Sequence, residues 1–388
     1  MKTRKILVVL VDRANYGRMR SVMQAISEHP LLEMQVMCAG SMVLDRFGSS
    51  ISEVERDGFE VHSQVYMELE GSVPVSMAKS LGFGVIEFAG EINRLKPDIL
   101  LLIGDRYEAL SAALVAGYLN IPIAHIQGGE VSGSIDESAR HAISKFAHFH
   151  FPATNRAADY LYKMGEPRDN IFNVGCPVGD YILGLDNNIP FDVFRAGSGA
   201  EIDIEKPFQL VIFHPTTTSF GGEAQQILEL LKALDEMKHK TVFLWPNIDA
   251  GSDDISKQLR IFRDKVSPDW LRFITNLNPV MFQKVLKRCA VAIGNSSSFV
   301  RDSTFSGTPV VLVGDRQTGR EIGSNTIVVP VEKQTIIDAV NKQITNGQYK
   351  PESLYGNGEA GRKIAEVLSS VELFVQKKLD YIYRDSLS

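Results

Sequence analysis

The chain has 388 residues, more than one hydrophobic core usually holds, and its hydrophobic fraction of 44% is sufficient for two domains. Its 41 basic and 47 acidic residues give a net charge of -6, which argues against a surface that neutralises nucleic-acid phosphates. The three cysteines, Cys38, Cys176 and Cys289, are widely spaced and odd in number, so they favour a reducing, cytoplasmic compartment over a disulfide framework or a zinc site.

The first half of the chain alternates short β-branched runs with longer amphipathic stretches. Residues 6–11 form an apolar run that is too short to span a membrane and has no small-residue cleavage site, so we expect a first buried strand. The segments that follow are predicted, in chain order, as helix 18–28, strand 34–38, strand 99–103, helix 109–119, strand 121–125, helix 135–147 and strand 149–152. This alternation is typical of βαβ units that form a parallel sheet.

A polar segment, 185–206, separates this series from a second one and is predicted to be a linker and loop. The second series contains predicted strands 208–213, 241–245, 290–293 and 310–313 and predicted helices 222–237 and 281–288. We therefore predict an α/β protein in which two Rossmann-like domains, 1–184 and 185–358, face a cleft. The remaining unit, 359–388, is strongly helical up to residue 383 and is expected to fold back over the first domain.

Ligands of such sheets bind at the carboxyl ends of the strands, so residues that directly follow strands are the first site candidates. Asp105 and Arg106 follow strand 99–103, and Asp105 is the first catalytic candidate. The alternative is that Asp105 only caps the next helix, since Asp before a helix commonly accepts backbone N–H bonds.

The loop after strand 121–125 supplies further catalytic candidates, namely Gln127, Glu130 and Asp136. Paired carboxyl groups suit proton removal and return, because mutual repulsion and burial can keep one ionised and the other protonated. Asp136 could also be only a helix cap. His125 and His141 in the same region are as consistent with structural, hydrogen-bonded histidines as with catalytic ones.

The second half contributes candidates for phosphate and ribose binding. His214 ends strand 208–213, where an imidazole would suit a departing phosphate. Ser296 and Ser297 begin a helix, and the unpaired backbone N–H groups of a helix start bind anions. Asp302 and Arg316 complete a pattern that would place a diphosphate at the helix start and a carboxylate on the ribose hydroxyls.

Several motifs together resemble the hydrolysing UDP-N-acetylglucosamine 2-epimerases of sialic-acid-type biosynthesis, across nearly the whole chain. They occur in the family's order and approximate spacing: Asp12-Arg13-Ala14-Asn15, Gly104-Asp105-Arg106, Gly128-Gly129-Glu130 to Ile135-Asp136 with Arg140-His141, Phe213-His214-Pro215, Gly294-Asn295-Ser296-Ser297 and Arg316-Gln317. We also expect Arg13, Arg106 and Asn247 to bind the nucleotide.

The resemblance implies a glycosyltransferase-B-like fold that closes on a UDP-sugar, usually as a homodimer, and the apolar helical region 77–92 could supply the interface. It implies anti-elimination of UDP to a glycal, followed by water addition with protonation of C2 from the other face. Neither a metal nor a nicotinamide cofactor is then required, and no nucleic-acid or membrane partner is expected.

Two residues depart from the family pattern. Gln127 stands where sialic-acid members have a catalytic Glu, so either Glu130 or Asp136 carries the proton, or the chain handles a modified sugar. The modified sugar would be a UDP-2,4-diacetamido-trideoxyhexose, which feeds legionaminic acid synthesis. Asp302 stands where the family usually has Glu to hold the ribose, so its shorter arm implies a shifted backbone or a bridging water.

Two rival functions stay open at this level. A retaining glycosyltransferase of the same fold would bind the same donor and pass the sugar to an acceptor, although it has less need for Asp105 and Asp136 as acid and base. An inactive nucleotide-sugar sensor is the other possibility, and Gln127 is the only residue that favours it.

Overall fold

The computed structural model describes residues 3–44, 50–71, 73–216, 221–246, 249–378 and 380. The first half forms a sheet of six strands, β1 Arg4–Leu10, β2 Leu32–Ala39, β3 Ser63–Val65, β4 Ile99–Ile103, β5 Ile123–Ile126 and β6 Phe149–Phe151. All six are parallel, in the spatial order β3-β2-β1-β4-β5-β6. The helices of this half are α1 Arg13–Glu28, α2 Ser50–Arg56, α3 Pro74–Leu95, α4 Tyr107–Tyr118, α5 Asp136–Phe146, α6 Asn155–Lys163 and α7 Gly179–Ile182, with 3₁₀ helices at Gly40–Val43 and Arg168–Asn170.

The second half forms a seven-stranded sheet. Its strands are β7 Ser198–Gly199, β8 Gln209–Ile212, β9 Thr241–Leu244, β10 Leu271–Ile274, β11 Val291–Gly294, β12 Val310–Val313 and β13 Thr326–Val329. The spatial order is β13-β12-β11-β8-β9-β10-β7, and only the two-residue edge strand β7 is antiparallel. Its helices are α8 Glu223–Met237, α9 Ser252–Val266, α10 Pro279–Arg288, α11 Ser297–Ser306, α12 Lys333–Asn346 and α13 Ala360–Ser370.

Both sheets are buried on both faces, which explains their continuous apolar strands. In β1, Ile6 and Val8 belong to the core on one face of the sheet, and Leu7 and Val9 belong to the core on the other. Side chains alternate across a strand, so a strand covered by helices on both faces must be apolar at every position. The second sheet has the same arrangement, with Leu210 and Val211 of β8 in opposite cores.

The C-terminal helix returns to the first half, as predicted. Ile364 and Leu368 of α13 are fully buried in the core that also contains Met19 of α1. The helix is shorter than predicted, because it ends at Ser370 instead of residue 383.

Tertiary contacts hold residues 371–378 in a non-helical course beside β6. The ring of Phe374 packs edge-on against Phe149 at 5.7 Å between centroids, and Lys377 pairs with the buried Glu166 at 2.6 Å. These contacts override the local helical pattern of that segment.

Most predicted elements are present within a few residues of their predicted ends. Segment 185–206 contains no helix and only the short strand β7, in agreement with a linker. The domain boundaries at 184 and 358 stay predictions. Across the described residues, no helix is long and apolar enough to cross a membrane.

Candidate active site

A cavity of about 170 Å³ lies between the two halves, at the carboxyl ends of their central strands. Residues that follow β1, β4 and β8 line it together with the start of α11. Of the predicted site residues, it is lined by Arg13, Asp105, Arg106, Asp136, His214, Ser296, Ser297, Asp302 and Arg316. Asn247 lies outside the described residues.

Asp105 is a half-buried carboxylate surrounded by arginines. It forms an ion pair with Arg140, whose guanidinium is fully buried. Burial acts to raise the pKa of Asp105, but the charges of Arg140, Arg320 and Arg301 outweigh it and hold that pKa below its usual range. The residue at the cap position of α4 is Arg106, so the structure does not support the alternative in which Asp105 serves as the helix cap.

Asp136 has the opposite electrostatic environment. Burial raises its pKa above the usual value, and the negative charges of Asp105 and Asp249 raise it further, against the opposing effect of Arg316 at 3.8 Å. The hydroxyl of Ser134 donates to Oδ2 of Asp136 at 2.9 Å. Two neighbouring carboxyl groups with pKa values displaced in opposite directions are typical of acid and base catalysis.

Glu130 does not line the cavity. Its Oε2 accepts hydrogen bonds from Nη2 of Arg301 at 2.9 Å and from Nη1 of Arg320 at 2.5 Å, both in the second half of the chain. Burial acts to raise the pKa of Glu130, but these two arginines lower it below its usual value. The structure therefore corrects the prediction that Glu130 carries a proton, because its carboxylate is committed to an ion pair that joins the two halves.

Gln127 is also behind the cavity wall. Its side chain is fully buried, Oε1 accepts from Nη1 of Arg18 at 3.3 Å, and Nε2 donates to Sγ of Cys176 at 3.0 Å. Both ends of the amide are thus engaged within the protein, so the structure does not favour Gln127 as a catalytic residue. Arg18 does line the cavity, and Gln127 hydrogen-bonds it from behind the cavity wall.

His214 is held rigidly at the end of β8. Its backbone N–H donates to Oδ1 of Asn295 at 2.7 Å, and Nδ2 of Asn295 donates to the His214 carbonyl at 2.8 Å. Burial, followed by the positive charge of Arg316, lowers the pKa of His214 to about 3. The imidazole is therefore neutral at physiological pH and can donate one N–H to an anion.

The start of α11 and two arginines form an anion-binding region. Ser296 caps α11 and accepts from the Ser298 amide at 3.3 Å. Among the described residues, Nη1 of Arg13 and Nε of Arg316 are buried and have no hydrogen-bond partner. Unpaired donors beside a helix N-terminus favour a phosphate.

Arg106 lines the cavity but binds carboxylates of the protein. It donates to Glu108 at 2.8 and 3.1 Å, pairs with Asp249 of the second half, and lies 3.8 Å from Asp12. The structure thus gives Arg106 a role in joining the halves, and nucleotide binding by Arg106 stays a prediction.

Sequence reasoning missed several residues of the cavity wall. Trp245 and Phe282 supply an apolar wall suited to a nucleobase, and Arg18, Tyr181 and Gln283 contribute polar groups. These last three lie within helices, away from the strand ends, so no motif marked them.

The chain matches known proteins over nearly its whole length. Residues 24–369 match the family model described as UDP-N-acetylglucosamine 2-epimerase, so the chain belongs to that family. The hydrolysing UDP-N,N'-diacetylbacillosamine 2-epimerase of Legionella pneumophila is 33% identical over 96% of this chain and 97% of its own length. The hydrolysing GDP/UDP-N,N'-diacetylbacillosamine 2-epimerase of Campylobacter jejuni is 31% identical over 84% of each chain.

A solved structure of similar fold is the UDP-GlcNAc 2-epimerase from Neisseria meningitidis bound to UDP-GlcNAc. It aligns with a TM-score of 0.76 at 17% identity and covers 94% of this chain and 99% of that chain. The predicted glycosyltransferase-B-like fold is confirmed. The protein is a 2-epimerase of the UDP-N-acetylglucosamine type.

Proposed function

We propose that the enzyme hydrolyses a UDP-activated 2-acetamido sugar and inverts C2, releasing UDP and the free sugar. The observation that carries this proposal is the pair Asp105 and Asp136, whose pKa values are displaced in opposite directions beside an anion-binding region. Proton removal beside a departing diphosphate needs this combination of groups.

The reaction begins with elimination. Asp136, whose raised pKa makes it the stronger base of the two, removes the proton from C2. The C–H electrons form the double bond between C1 and C2, and the bond from C1 to the diphosphate oxygen breaks with its electron pair on UDP. Arg13, Arg316 and the start of α11 stabilise the negative charge that develops on the diphosphate, and Asp105 stays ionised beside the positive charge that develops at C1.

Hydration completes the turnover. Water, oriented by Asp105, adds its hydroxyl to C1 and its proton to C2 on the face opposite the one that was deprotonated. The proton held by Asp136 returns to solvent, so one water is consumed for each UDP and each free sugar formed.

The proposed substrate is the 2,4-diacetamido-trideoxy sugar, UDP-N,N'-diacetylbacillosamine. The names of the relatives from Legionella pneumophila and Campylobacter jejuni support it. Plain UDP-N-acetylglucosamine, the substrate type named for the 28% identical Neisseria meningitidis relative, is the alternative.

Assembly and compartment belong to the same proposal. Helix α3 carries an exposed apolar stripe, with Val75, Phe83 and Ile86 exposed by 60%, 46% and 67%, which supports a homodimer. The three cysteines are free thiols, as expected of a cytoplasmic protein.

The test is incubation with each of the two UDP-sugars in heavy water, followed by NMR of the anomeric and C2 protons. We expect UDP release, deuterium at C2 and a free C2-inverted sugar, with higher kcat/KM on the diacetamido substrate. An intact donor in the absence of an acceptor would instead favour a transferase or a sensor.

A further inference from the structure

Three helices meet at one corner of the cavity and bring together polar groups that the mechanism does not use. Tyr181 lies on α7, Gln283 on α10 and Asp302 on α11, and all three line the cavity. Gln283 and Asp302 belong to the second half, and Tyr181, on α7 of the first half, packs against the core of the second sheet.

Asp302 is 3% exposed, and a hydrogen bond from Gln283 holds one of its two carboxylate oxygens. Nε2 of Gln283 donates to Oδ2 at 2.6 Å, which sets the orientation of the carboxylate. Over the described part of the chain, Oδ1 has no hydrogen-bond partner. Burial raises the pKa of Asp302. Hydrogen bonding from Gln283, the charges of Arg18 and Arg301, and hydrogen bonding from the Ser298 side chain oppose that shift.

Tyr181 presents a second unused polar atom. Its ring packs against the apolar core of the second sheet, and its hydroxyl is buried without a hydrogen-bond partner among the described residues. Burial and then the neighbouring charge of Asp302 raise the pKa of this phenol, so the hydroxyl keeps its proton and can donate. A buried hydroxyl without a partner is unfavourable, which points to a partner that arrives with the ligand.

The distance along α11 from its start to Asp302 is comparable to the distance between the diphosphate and the pentose of a nucleotide. Asp302 lies six residues after Ser296, the cap of α11, which corresponds to about 9 Å along the helix. The pentose of a nucleotide whose diphosphate binds the helix start is therefore within reach of Asp302, and Tyr181 lines the same cavity.

We propose that Tyr181 is a specificity-determining residue that binds the ribose diol together with Asp302, so that the enzyme selects ribonucleotides over deoxyribonucleotides. Oδ1 of Asp302 accepts a hydrogen bond from one ribose hydroxyl, and the Tyr181 hydroxyl bonds the other. This inference rests on the proposed function only in taking a UDP-sugar as the ligand. The phenol supplies a second hydrogen-bonding group beside the shorter arm of Asp302.

The test measures the dissociation constants of UDP, 2′-deoxy-UDP and 3′-deoxy-UDP by calorimetry, for the wild type and for Tyr181→Phe. We expect Tyr181→Phe to raise the dissociation constant of UDP by about tenfold, the effect of one lost hydrogen bond. The dissociation constant of at least one deoxy analogue should stay within about twofold of its wild-type value. An equal loss of affinity for all three ligands, or no loss of affinity for any of them, would overturn the proposal.

Tyr355→Phe is the matched control. Its hydroxyl donates to the Glu321 carbonyl at 2.6 Å and the residue does not line the cavity, so this variant should leave discrimination among the three ligands unchanged. The two proposals fail separately: a protein that discriminates the deoxy analogues but releases no UDP from either sugar would refute the proposed reaction and keep this inference.

Discussion

Gln127 holds Arg18 against the cavity wall through a hydrogen bond of 3.3 Å between Oε1 and Nη1. The amide has no charge, so the positive charge of Arg18 stays available to the cavity that it lines. A glutamate at the same position would place a carboxylate on that guanidinium. The departure from the family pattern thus changes the electrostatics of the nucleotide side of the site.

Replacing Gln127 by Glu should therefore weaken UDP binding by about three- to tenfold, because an ion pair neutralises Arg18. The acid limb of the pH-rate profile should not move upward, since the hydrogen bonds of the Gln127 amide go to Arg18 and Cys176 and not to Asp105 or Asp136. Calorimetry with UDP and a pH profile on the preferred sugar measure both effects. Gln64→Glu on the exposed edge strand β3 is the control, and unchanged UDP affinity with a raised acid limb would contradict the prediction.

Asp105→Asn should lower kcat by at least about a hundredfold and leave the affinity for UDP within about twofold. The carboxylate acts where charge develops on the sugar, so its loss is felt in the transition state and little in nucleotide binding. Steady-state kinetics measure the loss of kcat, and calorimetry measures the affinity for UDP. Asp169→Asn on the surface is the control. Near-normal turnover would reduce Asp105 to a structural partner of Arg140.

The pH dependence of turnover should follow the raised pKa of Asp136. Activity requires the ionised form, so the rate is lost as the pH falls through that pKa. Asp249→Asn removes a negative charge that raises the pKa, so the acid limb should move to lower pH. Asp254→Asn, exposed on α9, should leave the limb in place, and an unmoved limb in Asp249→Asn would exclude Asp136 as the titrating base.

Glu130→Gln should destabilise the fold by about 3 kcal/mol, because Arg301 and Arg320 lose the carboxylate that neutralises them in a buried site. The folded pKa of Glu130 lies below its ordinary value of 4.5, so its contribution is present above that value and lost as the pH falls through the folded pKa. Denaturant unfolding at several pH values should show the gap between variant and wild type narrowing in acid. A constant gap would show that the Glu130 charge is not its source.

Gly133→Ala should impair turnover by disturbing Arg316. The Gly133 amide donates to the Arg316 carbonyl at 3.0 Å, and a Cβ at Gly133 would lie 2.2 Å from the Asp315 carbonyl oxygen. The loop that carries Arg316 must then move away from the first half, which should raise KM and lower kcat together. Gly82→Ala in α3, where a Cβ meets nothing within 4 Å, should behave as wild type in the same assay.

The sequence by itself determined the layered fold and the position of the site. Continuous apolar strands such as β4, predicted at its observed residues, arise because both faces of a parallel sheet are buried. The carboxyl ends of such strands lie at one edge of each sheet, so the strand pattern alone predicts Asp105, His214 and Ser296 in one cleft, and all three line the cavity.

Only the tertiary structure decided which polar residues face that cleft. Glu130 lies in the loop after β5 and Asp136 begins the helix that follows, and in the sequence both are carboxylates. In the structure, Arg301 and Arg320 from the other half bind Glu130, and Asp136 lines the cavity. For the same reason Gln127, a candidate in the sequence, lies behind the cavity wall, and Tyr181, which no motif marked, lines the cavity. Burial and pairing depend on side chains that are distant in the sequence, and local patterns of residue type contain no information about those partners.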